Sequence, residues 1–132
     1  MKENLLILEE DKESRRQMVQ MFTEAGYQVT ATSSVTSAIY NILKKTVQVV
    51  LLGGKLDDLA AEDLVPLLKK CNNQLRIILV AAETSLPLLR RLRRDGIFYY
   101  ALKPHTSEDR AEIRQAVMCA FRNQEQMHAA YK

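Results

Sequence analysis

Apolar residues along this chain follow two alternating patterns. Short apolar stretches of strand length recur at Leu5–Leu8, Val47–Leu52, Leu75–Val80 and Ile97–Leu102. The first is unbroken, as expected of a parallel strand buried on both faces. Val47–Leu52 has the apolarity of the most central strand, and Gln28–Ala31 adds one more. Between these stretches the apolar residues recur every three or four positions. Asp11–Ala25 reads as a helix with Met18, Phe22 and Ala25 on one face and Gly26 as its stop. Ser34 is placed to cap a second helix, whose stripe is Val35, Ala38, Ile39, Ile42 and Leu43. Ala61, Leu64, Val65 and Leu68 mark a third. Thr84 or Ser85 caps a fourth, with Pro87 near its first turn. Ile113, Ala116, Val117, Ala120 and Phe121 mark a fifth.

Strict alternation of strand and helix predicts an α/β domain: a doubly wound parallel sheet with helices on both faces, joined by right-handed crossovers. One domain is expected over residues 1–123. Residues 124–132 form a polar tail or an extension of the last helix. In such sheets functional groups gather at the carboxyl ends of the strands, near the switch in strand order. Glu9, Glu10, Gly53, Ala81 and Lys103 all fall at predicted strand ends.

Composition changes this picture little. The chain has 132 residues, 47% of them apolar and 27% charged, ordinary values for a globular domain. The net charge of +3 is too mild to imply nucleic-acid binding by itself. No apolar stretch has membrane-spanning length, and there is no signal-peptide pattern. Cys71 and Cys119 lack metal-ligand spacing and read as reduced thiols of a cytoplasmic protein. His105 and His128 form no recognisable site.

The strand ends carry the candidate chemistry. The first apolar run ends in Glu9-Glu10-Asp11, the third in Gly53-Gly54, the last in Lys103-Pro104. This order and spacing resemble the receiver domain of bacterial two-component response regulators, over about Glu3 to Asn123. The resemblance implies a flavodoxin-like (βα)5 fold with strand order 2-1-3-4-5. It assigns Glu9 and Glu10 to the acidic pair that holds a divalent cation and Lys103 to the lysine that pairs with the phosphoryl group. Pro104 matches a proline that usually follows a cis bond, and Tyr100 matches the switch aromatic. The chain departs from the pattern at two positions that matter. Gly53 stands where the family has the phosphoacceptor aspartate, and Ala81 where it has a Ser or Thr. Asp57-Asp58 and Ala60-Ala61 also differ from the common Pro-Asp and Asp-Gly.

The missing chemistry is specific. Phosphoryl transfer from a histidine donor needs a carboxylate nucleophile, and glycine has none. Asp57 and Asp58 lie too far along the next loop. With one carboxylate gone, Glu9 and Glu10 are a vestigial metal pair, and no metal or other cofactor is expected. Glu9, Glu10 and Lys103 then read either as a residual anion or metal site or, more simply, as an ion-pair cluster. Gly53-Gly54 reads as a turn with φ > 0, leaving space beside Lys103.

A second surface is carried by the fourth helix. Arg90, Arg91, Arg93 and Arg94 cluster there, and Phe98-Tyr99-Tyr100 follows. The resemblance makes helix 4, strand 5 and helix 5 the usual contact face. Arg90, Arg91, Arg94, Tyr99 and Arg114 are its candidate anchors, suited to an acidic protein partner or a homodimer. Nucleic acid has no recognised motif here. The leading reading is a phosphorylation-independent receiver-like module of a phosphorelay, acting by protein contact. The alternative is a sensor binding a small molecule or anion in the vacated pocket. An enzyme is not expected, because no nucleophile–base or metal constellation is present.

Overall fold

The computed structural model describes residues 3–82 and 84–130, with side chains described as far as residue 122. Strands and helices alternate: β1 (Asn4–Leu8), α1 (Lys12–Glu24), β2 (Gln28–Thr32), α2 (Val35–Leu43), β3 (Val49–Leu52), α3 (Ala61–Cys71), β4 (Arg76–Ala81), α4 (Leu86–Asp95), β5 (Tyr99–Leu102) and α5 (Ser107–Ala130). The strands form one parallel sheet in the order β2-β1-β3-β4-β5.

The period of two along each strand explains the continuous apolar runs. Leu6, Leu8, Val50, Leu52, Ile77 and Leu79 face a core shared with α2, α3 and α4. Leu5, Ile7, Val49, Leu51, Ile78 and Val80 face the opposite core, which Met18 and Phe22 of α1 and Ile113, Val117 and Phe121 of α5 complete. A strand buried on both faces has no position for a polar side chain, so polar residues collect at its ends.

Local signals set the helix boundaries. Asp11 caps α1 by accepting from the Ser14 amide at 2.8 Å, and Ser34 caps α2 through the Ser37 amide at 3.2 Å. Ser85, not Thr84, caps α4. That helix ends at Gly96 with φ of 104°, a left-handed conformation glycine adopts without steric cost. α3 has no side-chain cap, but Glu62 and Asp63 in its first turn favour the positive end of its dipole.

Several sequence expectations shift. Ala25 is the C-cap of α1 and is exposed, because the chain has already left the helix there. Leu43 is 58% exposed at the end of α2, beyond the reach of the sheet. β3 begins at Val49 and β5 at Tyr99, each two residues later than the apolar pattern suggests. Val47 and Ile97 pack into the core from connecting segments, so their apolarity reports burial and not strand pairing. α5 continues past residue 123 to Ala130, in line with the helix extension given as one reading of residues 124–132, and residues 131 and 132 lie outside the described residues. The Lys103–Pro104 bond is trans, not cis, which is the isomer favoured by about 0.5–1 kcal/mol for X–Pro.

Candidate functional site

At the carboxyl edge of the sheet, Glu9 follows β1 and Gly53 follows β3. The Gly53 amide donates to the Leu8 carbonyl at 2.8 Å, which extends the β1–β3 ladder and sets Gly53 against Glu9. Glu9 is the one buried charged residue among those described, with 2% of its surface exposed. Its Oε2 accepts from the Asp11 amide at 3.3 Å, and its Oε1 lies 3.7 Å from Lys103 Nζ. Arg15 Nη1 donates to the carbonyls of Glu9 and Glu10, at 2.8 and 3.3 Å, fixing the turn into α1.

The reason for glycine at position 53 is steric. Its φ is not in the left-handed region. A Cβ there would sit 2.7 Å from Glu9 Cδ and Oε1 and 2.8 Å from Oε2. Any side chain at position 53 therefore competes with the Glu9 carboxylate for one volume. The expectation of a two-glycine turn holds only for Gly54, whose φ is 103°. The Glu9 carboxylate fills the region next to Gly53, and the space beside Lys103 lies on the other side, as a cavity of about 140 Å³ lined by Glu9, Met18, Val80, Lys103 and Arg110. A Cβ on Gly54 would touch only the Ala81 methyl, at 3.8 Å.

The structure thus brings Glu9, Gly53 and Lys103 together and places Ala81 alongside. The Lys103 amide donates to the Ala81 carbonyl at 3.2 Å, carrying the strand pairing to the sheet edge. Glu10 is exposed. Asp11 is occupied as a helix cap, and its carboxyl is held below the usual aspartate range chiefly by the Ser14 backbone hydrogen bond. Among the described residues no group of three or more His, Cys, Asp or Glu side chains is arranged to hold a metal ion.

Tyr100 packs against the core shared with α2, α3 and α4. Its hydroxyl donates to the Ala82 carbonyl at 2.8 Å, tying β5 to the segment after β4. Asp57 has a role that sequence reasoning missed. Leu56 and Leu59 exchange backbone hydrogen bonds at 2.9 Å around Asp57 and Asp58, whose φ values are 50° and 65°. That is a two-residue turn of the type that needs positive φ at both central positions. The Asp57 carboxylate then accepts from the Val35 amide at 2.8 Å, at the start of α2. A Leu-Asp-Asp-Leu segment carries the signal, since Asp tolerates the left-handed region better than most residues.

On the far edge, Arg90, Arg91 and Arg94 are exposed on α4, and Arg91 pairs with Asp95 at 3.8 Å. Tyr99 is 38% exposed on the edge strand β5, with Leu102 53% exposed on the same strand. The Tyr99 hydroxyl donates to Glu112 Oε2 at 2.6 Å. That hydrogen bond, with some help from burial, raises the Tyr99 phenol above the ordinary tyrosine range. Arg114 does not join this face. It lines a groove with Arg110, Gln17, Met21 and Glu24, between α5 and α1. Two residues along a helix turn the side chain by about 200°, so Arg114 points away from the Glu112 side.

This arrangement defines an open doubly wound α/β domain with its polar cluster at the carboxyl ends of the central strands. The chain belongs to the response regulator receiver domain family, whose model matches residues 5–118. No curated protein matches the chain. Among solved structures it resembles a CheY-like response regulator receiver domain protein from Methanospirillum hungatei JF-1, with 20% identity and a TM-score of 0.83 over 96% of this chain and 99% of that one. It also resembles the signal receiver domain of a putative LuxO repressor protein from Vibrio parahaemolyticus, with 17% identity and a TM-score of 0.87 over 100% and 99% of the two chains. A third is the CheX–CheY–BeF3–Mg complex of Borrelia burgdorferi, with 21% identity and a TM-score of 0.78 over 90% and 89%. At these identities the likeness establishes the shared fold.

Proposed function

We propose that this chain is a phosphorylation-independent receiver module of a two-component phosphorelay. It is cytoplasmic and non-enzymatic, and acts by standing protein contact. The observation that carries this reading is the Glu9 carboxylate packed where a side chain at position 53 would stand. On the resemblance of the strand ends, position 53 corresponds to the phosphoacceptor of the family. Here it offers no nucleophile, and its space is filled from the neighbouring strand. Lys103, the residue the family would direct to a phosphoryl group, faces Glu9 instead. Ala81 lacks the hydroxyl of the same relay. The Tyr100 hydrogen bond to Ala82 supports a single arrangement of the β4–β5 edge. The alternative, a sensor of a small molecule or anion, has less support, because the Glu9 carboxylate takes the space next to Gly53.

The contact face is the exposed edge made by α4 and β5, with Arg90, Arg91, Arg94 and Tyr99 as anchors and Leu102 as added apolar area. Arg and Tyr are the residue types enriched at binding hot spots. An edge strand with an unpaired ladder invites a partner or a second copy. The test is a charge-reversal pair, Arg91→Glu with Arg94→Glu, followed by sedimentation for self-association and pull-down for partners. Association should fall in one of these assays and should be indifferent to a phosphodonor. Unchanged association in both, or association that appears only with acetyl phosphate, overturns the proposal.

A further inference from the structure

The cavity beside Lys103 lies on the face of the sheet that α1 and α5 cover. Its apolar lining is the less exposed part: Met18 and Val80 are buried and Met21 is half-buried. Its cationic lining is more open, with Lys103 half-buried and Arg110 and His105 exposed. Glu9 borders the cavity but offers it no acceptor. Its Oε1 is shut off from solvent against Gly53 and beside Lys103, and its Oε2 accepts from the Asp11 amide. The charged groups left to face the cavity are donors, because an ammonium and a guanidinium carry N–H groups and accept nothing. Arg110 makes no side-chain hydrogen bond or ion pair with any described residue. Lys103 Nζ is 3.7 Å from Glu9 Oε1, beyond hydrogen-bond distance, so its N–H groups also lack an acceptor there. α1 and α5 share an apolar core, and among the described residues no hydrogen bond or ion pair joins them.

We propose that this cavity binds a short aliphatic monocarboxylate. Donor-only cations select a head that only accepts, and a guanidinium fork matches the two oxygens of a carboxylate. One negative charge suffices, because Glu9 already balances one of the two cations, Lys103 and Arg110. The carboxylate takes N–H donors from Arg110 and Lys103, and its hydrocarbon body lies against Met18, Met21 and Val80. An inorganic oxyanion would leave that apolar wall uncovered. A neutral alcohol would leave the cations without a counter-charge, and an amine would be repelled by them. Size selects further. Pockets for drug-sized ligands run to about 300–1,000 Å³, so a cavity of about 140 Å³ admits only a few carbons beyond the carboxylate. Occupancy would tie the first turn of α5 to α1 by a polar head and an apolar body, where the chain itself supplies apolar contact alone. The site lies apart from the space next to Gly53. The inference rests neither on the absence of phosphorylation nor on the α4–β5 contact face, and it adds a ligand to the contact module without replacing that reading.

The test uses the full chain and three probes: 3-methylbutanoate, 3-methyl-1-butanol, which lacks the charge, and inorganic phosphate, which lacks the apolar body. Amide chemical shifts of α1 and of residues 103–110 are followed on titration. 3-Methylbutanoate should bind saturably in the affinity range open to a fragment of its size, with both controls at least about tenfold weaker. Arg110→Ala alters an exposed residue and leaves the core intact. It should weaken 3-methylbutanoate at least about fivefold. Arg91→Glu with Arg94→Glu should leave that binding unchanged, which separates this site from the contact face on α4. No saturable shift of α1 and residues 103–110 with 3-methylbutanoate would falsify the proposal. Equal binding of the alcohol or of phosphate, an Arg110→Ala variant that binds as the parent does, or binding lost with the α4 pair would overturn it too.

Discussion

Restoring an aspartate at position 53 should destabilise this protein. The new Cβ would lie 2.7–2.8 Å from three atoms of the Glu9 side chain, against the usual 3.5–4.0 Å of non-bonded contact. Glu9 must move by about 1 Å or change rotamer. The atoms met are the far end of a flexible side chain that borders a cavity of about 140 Å³, so this step costs about 0.5–1.5 kcal/mol. The new carboxylate adds repulsion. Two like charges about 4 Å apart contribute about 4 kcal/mol at an effective dielectric constant of 20, less whatever solvent and rotation relieve. A net loss of about 1–3 kcal/mol for Gly53→Asp at neutral pH follows, mostly from the charge repulsion, with Gly53→Ala losing no more than about 1.5 kcal/mol from the steric part alone. The assay is urea unfolding of the two single variants, Glu9→Ala, and the pair Glu9→Ala with Gly53→Asp. The pair should be more stable than the sum of its singles by about 1–3 kcal/mol, because each relieves the other. A Gly53→Asp variant as stable as the parent, with no coupling to position 9, would refute the steric reading of Gly53.

Further outcomes follow from the same contacts. Mg²⁺ should bind no tighter than millimolar by calorimetry, since Lys103 holds Glu9 and Glu10 is exposed; sub-millimolar affinity abolished by Glu10→Gln would contradict this. Asp57→Ala should lose about 1–2 kcal/mol in urea unfolding, from the Val35 hydrogen bond and the left-handed backbone, while Asp57→Asn loses less. The Asp11 carboxyl is lowered on folding, so its contribution is present above the ordinary aspartate pKa of 3.8 and is lost as pH falls through its folded value. Hydrogen exchange at the first turn of α1 should accordingly quicken below about pH 4, an effect absent in Asp11→Asn. Tyr99 is raised, so its hydrogen bond to Glu112 should persist through the ordinary tyrosine range near pH 10 and break only above it, by ultraviolet titration against Glu112→Gln.

Much of the fold was legible because burial on both faces leaves strands such as Leu5–Leu8 no room for polar residues. The caps at Ser34 and Ser85 and the stop at Gly96 are local chemistry, and local chemistry is written in adjacent residues. Strand ends were less legible, because Val47 is buried and Ile97 half-buried against the core without either lying in a strand. The positions of the candidate site could be read from strand-end residues. What could not be read was that Glu9 turns toward Gly53 and closes the space. That depends on the pairing of β1 with β3, and no residue near position 53 announces it. The side of α5 that Arg114 occupies was misplaced for a related reason. The apolar stripe gives the buried face of a helix, but only the neighbours show which groove each flank borders.

The most direct test of phosphorylation independence is intact-mass measurement after incubation with acetyl phosphate and Mg²⁺. The unmodified mass should be the only species, in the parent and in Gly53→Asp, whose new carboxylate must contend with Glu9. A stable phosphoryl adduct on the parent chain, mapped by peptide sequencing to Glu9, Asp57 or Asp58, would contradict the central claim.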